Sequence, residues 1–397
     1  MYFLIAISGL LAQPSGLLAQ PLRLSEAFAR AREASPDLMA ARESVRAAQS
    51  TVETAGQLSN PTLTASVGPD TPQLFAIVDV KLPIFGQRGT AVAAAERDVQ
   101  AARADAQAKS VTVRAAVRRA YAALAAAQER AKLARDAFEL AADLERRAQA
   151  RVQTGIAPQL EAVQAGLARR RAAQERDDRA AALISAREEL GRLIAIADPS
   201  SLEAAEAIYP LPAAPPLAAL LTQSEHHPEV QSFRRQQDAA LARAQRERAA
   251  VRPIPDVSLE FEKTYGDPVI GLRAGIAFDL PVLSWNSGRV HEAQAQSEVA
   301  AAQARGALAK RTADLRSAHA RWDASAARAK SFAAEIVPAA QQLLKMARDA
   351  WELGRTPLTS VLQAQGEVTS ARAEASDAAL SAQQALADME EASGEAL

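Results

Sequence analysis

The chain repeats its own punctuation at an offset of about 198 residues, and that duplication limits its architecture more than any other feature. Ser35-Pro36-Asp37-Leu38 is answered by His227-Pro228-Glu229-Val230, and Asn60-Pro61-Thr62-Leu63 by Ile254-Pro255-Asp256-Val257. Leu82-Pro83-Ile84-Phe85 returns as Leu280-Pro281-Val282-Leu283, and Thr154-Gly155-Ile156-Ala157-Pro158 as Leu353-Gly354-Arg355-Thr356-Pro357. Matching breaks in the same order imply two structural repeats. Between them, residues 197–216 hold Pro199, Pro210, Pro212, Pro215 and Pro216, a composition that ends helices and reads as a linker. The first repeat is expected over 20–196 and the second over 217–397.

Each repeat reads helix, strand, turn, strand, long helix, turn, helix. From Ala91 to Gln153 there is neither glycine nor proline. As one helix that run would reach about 95 Å, a length suited to a coiled coil, solenoid or tube. Alanine dominates the 49% hydrophobic content while aromatics make up only 4%, which suits closely packed helices better than a large globular core. Gly155 with Pro158, and Gly354 with Pro357, mark tight helical hairpins. Gly306 and Pro338 are expected to interrupt the second long helix, with a kink or break near Pro338.

The strands are expected at about 61–67, 74–82, 255–263 and 269–281. In the third, Val257, Leu259 and Phe261 alternate with Ser258, Glu260 and Glu262. In the fourth, Ile270, Leu272, Ala274, Ile276, Phe278 and Leu280 alternate with Gly271, Arg273, Gly275, Ala277 and Asp279. The first-half strands alternate less cleanly: Leu63, Ala65 and Val67 oppose Thr62, Thr64 and Ser66, and Ala76, Val78, Val80 and Leu82 oppose Phe75, Ile77, Asp79 and Lys81. Period two places each set on its own face. Such strands suit a membrane barrel whose wet lumen carries Glu260, Glu262, Arg273 and Asp279. Taken alone, the same pattern also fits a sheet laid over a helical core. The chain offers little globular body for such a sheet to cover, and Trp285 and Tyr265 stand just beyond strand ends, where interfacial aromatics belong. Four strands do not close a barrel and open edges do not survive in lipid, so several chains must pool theirs. Three chains give twelve strands under cyclic symmetry.

Other chemistry is sparse. With 46 basic and 47 acidic residues, the net charge of -1 gives no reason to expect nucleic acid as a partner. The absence of cysteine excludes disulfides, thiolate catalysis and a cysteine-linked lipid anchor. Residues 1–19 read as a secretory signal cleaved near Ala19, although no Lys or Arg precedes the apolar run; a disordered or buried N-terminus is the alternative. No other stretch approaches the roughly 20 apolar residues of a spanning helix. His226 and His227 are consecutive, without metal-ligand spacing, and His291 and His319 are expected in solvent. No phosphate loop, nucleophile elbow or catalytic carboxylate pair is evident, so no catalytic, cofactor or metal site is expected.

On Leu82-Pro83-Ile84-Phe85-Gly86-Gln87-Arg88, Asp279-Leu280-Pro281 with Ser287-Gly288-Arg289, and Glu352-Leu353-Gly354 through Val361-Leu362-Gln363-Ala364-Gln365, the chain resembles the outer membrane factor (TolC-like) family of efflux channels. The Phe85–Gly89 turn and Ala157–Glu161 are most similar to its heavy-metal branch (CzcC-like and CusC-like). The resemblance implies a mainly α fold with a small membrane β part: a homotrimer with a twelve-stranded β-barrel in outer-membrane lipid and a twelve-helix periplasmic α-barrel. It further implies a passive conduit coupled to a periplasmic adaptor and an inner-membrane pump, of RND type. Gly155, Pro158, Gly354 and Pro357 would then mark the adaptor-docking tips beside the aperture. Related multidrug channels place acidic residues just after the second tip, where this chain has Ser360 and Gln363. The first-half equivalents are Glu161 and Gln164, leaving Glu161 alone of the four able to form an acidic ring. Metal cations or drugs are the expected cargo. A type I protein-secretion duct shares the architecture, and a non-membrane coiled-coil scaffold is a further alternative.

Overall fold

A computed structural model describes residues 21–69, 72, 74–264, 266 and 269–396. The expected signal over residues 1–19 and the aromatic Tyr265 lie outside the described residues. The first half runs α1 (Leu24–Ala34), α2 (Pro36–Gly56), β1 (Thr62–Val67), β2 (Leu74–Lys81), α3 (Gln87–Gln153) and α4 (Gln159–Leu193). The second runs α5 (Leu217–Gln223), α6 (Pro228–Ala250), β3 (Pro255–Lys263), β4 (Gly271–Phe278), α7 (Ser287–Ser331), α8 (Val337–Glu352) and α9 (Leu358–Ser393). Each half therefore opens on two helices rather than one, split at Ser35-Pro36 and at His227-Pro228, because a proline ring leaves the preceding residue little room to be helical.

Helix α3 is unbroken over 67 residues. Gly306 does not interrupt α7, contrary to expectation: an exposed glycine lowers helix propensity by only about 1 kcal/mol, which long neighbouring helical segments override. Near Pro338 the expected disturbance takes a specific form. Residues Phe332–Ile336 make a π turn in which the Val337 N–H reaches back to the Phe332 carbonyl. Pro338 has no N–H to offer the Ala334 carbonyl, and the widened turn absorbs the missing bond.

Two compact units divide the chain, and the residues of α3, α7 and α9 are shared between them. One comprises the described part of Met1–Ala29, Arg119–Leu211 and Ala327–Leu380, and contains the two helical hairpins. In it the linker is held firmly: Ile208 is buried against Ala125, Ala126, Ala329, Ala378 and Ala379, and the Tyr121 hydroxyl donates to the Leu22 carbonyl at 2.9 Å. The other unit comprises Arg30–Arg118, Pro212–Ala326 and Ser381–Leu397, and contains the sheet. Its core sets Leu220, Leu315, Ala318, Leu386, Met389 and Ala392 against one another. There the Arg118 guanidinium meets the Glu390 carboxylate at 2.9 Å, with side chains 10% and 1% exposed.

The sheet is antiparallel in the order β1-β2-β3-β4. Its register aligns the alternation of all four strands. Ala65, Ala76, Phe261 and Leu272 stand in one row, and Leu63, Val78, Leu259 and Ala274 in the next. The opposite face carries Thr64, Ile77, Glu260 and Arg273 in one row and Thr62, Asp79, Ser258 and Gly275 in another. Among the described residues no helical layer buries the apolar face: Leu63, Val67, Leu259, Leu272, Ile276 and Phe278 are all exposed. Among the described residues, the covered-sheet alternative therefore finds no covering layer.

Candidate channel aperture and lumen

The two hairpin tips share the same closing pattern. The Ile156 N–H reaches the Arg151 carbonyl at 2.9 Å and the Gly155 N–H the Val152 carbonyl at 3.0 Å. In the second repeat, Arg355 bonds Ala350 at 2.9 Å and Gly354 bonds Trp351 at 2.9 Å. This is the 6→1 and 5→2 closure that ends a helix on a left-handed residue, and Gly155 and Gly354 adopt φ of +74° and +72°. A side chain there would be strained although nothing crowds it, which is why glycine stands at both sites. Pro158 takes the N-cap position of α4, outside its first turn, and Pro357 immediately precedes α9. Their carbonyls accept from the Glu161 and Ser360 N–H groups at 3.0 and 3.1 Å, so each return helix starts in the same way.

Behind the tips, Trp351 is buried among Leu144, Ala148, Ala165, Leu358 and Val361, filling the space between α3, α4, α8 and α9. Its indole N–H points to the Glu161 carboxylate at 3.4 Å, and the Arg151 guanidinium stacks over its ring at 5.1 Å from the centroid. Arg151 Nε lies 3.9 Å from Glu161 Oε2, and its Nη1 donates to the Trp351 carbonyl at 3.1 Å. Glu161 is thus only 13% exposed by side chain, engaged with the second hairpin rather than free in solvent. Gln164 and Ser360 are half-buried and Gln363 is exposed. Further back, Asp143 receives Arg146, Arg147 and Arg348, while Arg147 also reaches Glu352 at 2.8 Å. Burial works against the charged form of Asp143, yet hydrogen bonds from Arg146 and Arg147 hold its pKa below the ordinary value.

Sequence reasoning did not identify Arg151 or Trp351. The available signal was a tryptophan, one of only three in the chain, placed three residues before the second tip glycine. On the outer side of α4, Leu160, Val163 and Leu167 form an exposed apolar stripe at helical spacing, and Ile156 and Leu353 stand exposed at the tips.

In the sheet, Arg273 lies between two carboxylates, 3.5 Å from Glu260 and 3.1 Å from Glu262. The three charges share the polar face with Thr64 and Ser258, so that face is wettable and carries an excess of acidic groups. Asp279 follows β4 by one residue. Of the histidines, His226 and His291 are exposed. His319, expected in solvent, is instead largely covered and bonds Asp323 at 3.0 Å, an i, i+4 pairing along α7. His227 is buried as the N-cap of α6: its Nδ1 accepts from the Glu229 N–H at 3.1 Å, and its Nε2 lies 2.8 Å from the Glu391 carbonyl. Among the described residues no group of three or more His, Asp or Glu side chains is placed to hold a metal ion.

The comparisons bear on the whole of this architecture. The family model for outer membrane efflux proteins matches residues 27–196 and 222–395. The cobalt-zinc-cadmium resistance protein CzcC of Cupriavidus metallidurans is 28% identical over 315 residues, which cover 78% of this chain and 74% of CzcC. The outer membrane protein VceC of Vibrio cholerae superimposes with a TM-score of 0.74 at 18% identity, over 94% of this chain and 96% of its own. CusC, a transmembrane channel, gives 0.75 at 15% identity, over 97% and 96%. Both repeats are matched and the fold is that of TolC-like channels; the chain belongs to the outer membrane efflux protein family, whose members are conduits rather than enzymes.

Proposed function

We propose that this protein is the outer-membrane exit duct of a tripartite efflux system, working as a homotrimer whose sheets close into a twelve-stranded barrel. The observation that supports this most is the sheet itself. Its apolar face is uncovered, its polar face carries paired charges, and its outer strands β1 and β4 each have a neighbour on one side only. Lipid on one face, water on the other and sister chains at both edges satisfy all three. The helical hairpins extend into the periplasm, where the tips at Gly155, Pro158, Gly354 and Pro357 meet an adaptor. The exposed stripe of Leu160, Val163 and Leu167 gives that contact, or the contact with a sister subunit, its apolar area. Energy comes from an inner-membrane pump of RND type, and the duct is passive. Likeness to CzcC favours metal cations as cargo. A conduit needs no ligands of its own if the pump selects what enters.

Deletion of the gene, complemented by the wild-type chain, tests this directly against a panel of metals, drugs and dyes. Increased sensitivity to divalent metals, reversed by complementation, is the expected result. Sensitivity confined to drugs would replace the cargo assignment. Loss of a secreted protein without any change in sensitivity would assign the duct to protein export instead.

A further inference from the structure

The helices that reach the tips leave two kinds of surface uncovered. On α4 it is apolar, with Leu160, Val163 and Leu167, and on α8 it is apolar again, with Leu343, Met346 and Leu353. On α3 the exposed side chains are long and of both signs: Lys132, Arg135, Asp136 and Glu139 stand within about two turns. Helix α9 differs from all three. Its exposed side near the tip holds Gln363, Gly366, Glu367 and Ser370, shorter on the whole and almost without charge. Its other side is packed through Leu358, Val361, Ala364 and Val368.

Glu367 is the exception on that side, and it is unmatched. Farther along α9 the next two carboxylates are each paired, Glu374 with Arg328 at 3.0 Å and Asp377 with Arg130. Carboxylates closer to the tips are engaged as well: Glu161 by Arg151 and Trp351, Asp143 by three arginines, and Glu352 by Arg147 and Arg348. The Glu367 side chain makes neither a hydrogen bond nor an ion pair with any described residue. Gln363 and Ser370, one turn to either side of it, are neutral. By contrast Asp349 on α8 has Lys345 one turn away, and Glu139 on α3 has Arg135.

We propose that Glu367 sets the charge preference of the passage, as three carboxylates, one from each subunit, facing the lumen about 14 Å along α9 from the tips. The inference rests on the trimeric conduit reading above, and the four surfaces assign α9 to the lumen. Closing a ring of helices covers apolar sides with sister chains and leaves the polar sides of α3 and α9 in water, one outside and one inside. Short side chains keep a passage open where long ones would fill it, and α9 has the short ones. An unmatched carboxylate in a confined wet passage enriches cations and depletes anions, and a single subunit supplies only a third of the ring. This ring lies deeper than the four aperture positions read from the sequence. Of those, Glu161 is turned to Arg151 and Trp351, and Gln164, Ser360 and Gln363 carry no charge.

Because the chain has no cysteine of its own, Glu367→Cys in the full-length protein gives a single labelling point. Single-channel recording in planar bilayers compares an anionic with a cationic methanethiosulfonate of similar size. Unlabelled, the variant should conduct less potassium than wild type and reverse nearer the chloride potential in a salt gradient. The anionic label should return both quantities towards wild type, and the cationic label should move both farther away. The difference between labels should be several-fold larger at about 0.1 M than at about 1 M KCl, where the screening length falls from about 10 Å to about 3 Å. Glu367→Gln, which keeps the shape, should lose cation preference as the unlabelled cysteine variant does; wild-type preference in it would overturn the inference. Complete labelling by mass with no change in either quantity would take Glu367 off the passage and leave the conduit standing. Equal changes with the two labels would reduce the residue to bulk and end its charge role. Absence of channels from the wild-type chain itself would remove the conduit reading instead.

Discussion

At the scale of single residues, three polar groups, His227, Glu390 and Glu161, are held largely out of solvent beside their partners. Burial holds the His227 pKa below its ordinary value, with the Arg311 guanidinium acting in the same direction, while the Glu391 carbonyl bond and the Glu229 and Glu391 carboxylates oppose it. Since the folded pKa lies below the unfolded one of about 6.5, stability is at its full value above that pH and falls as pH drops toward the folded pKa. Protonation also removes the Nδ1 acceptor that caps α6. Wild-type protein should therefore lose thermal stability as pH falls below about 6.5, and His227→Asn should flatten that slope. Glu390→Ala should lower stability, because it removes the buried carboxylate that meets the Arg118 guanidinium; denaturant titration checks this. Glu161→Gln weakens the hold of Arg151 and Trp351 on the first hairpin, and altered single-channel conductance or multivalent-cation block is expected if Glu161 reaches the aperture. Identical single-channel records would remove Glu161 from the passage. None of these partnerships was legible from the sequence. Glu161 and Trp351 lie 190 positions apart, and a histidine before a proline gives no hint of burial until the end of α9 arrives against it.

Individual elements were more legible, since periodicity is a property of short stretches. Strands β3 and β4 alternate cleanly and pair in a register that keeps like with like. Strand β2 was harder to read because Phe75 and Ile77 interrupt its polar face, and only the pairing of Ile77 with Thr64 and Glu260 settles which side it takes. Helix α9 carries the clearest pattern in the chain. Val361, Ala364, Val368, Ala371, Ala375, Ala378, Ala382, Ala385, Met389 and Ala392 are all buried and follow one another at alternating steps of three and four. That is the seam of a left-handed coiled coil, with alanine allowing close approach. Ala378→Leu should thus be poorly tolerated, by about 1–3 kcal/mol from overpacking, and a lowered melting temperature checks it. On the sheet, Leu272→Arg or Ile276→Arg should impair insertion, since a lipid-facing charge near mid-bilayer costs about 2–4 kcal/mol. Both variants appearing in the outer-membrane fraction at wild-type levels would mean that the two faces are assigned the wrong way round.

For the whole molecule, the duplication of punctuation was enough to anticipate two repeats of long helices and paired strands, and the family match spans both. What composition concealed was how the tips are held, because bonds between hairpins depend on side chains that no local pattern connects. The account stands on strands that remain incomplete until other chains join them. The chain has no native cysteine, so engineered pairs give a clean test. One cysteine replaces Thr62, Thr64 or Ser66 on β1, and the other replaces Gly271, Arg273 or Ala277 on β4. Within one sheet those strands are about 14 Å apart, beyond the reach of a disulfide. Oxidation in native membranes should therefore give cross-linked dimers and trimers for at least one register. Only monomers across all pairings, in protein recovered without detergent, would contradict the pooled barrel.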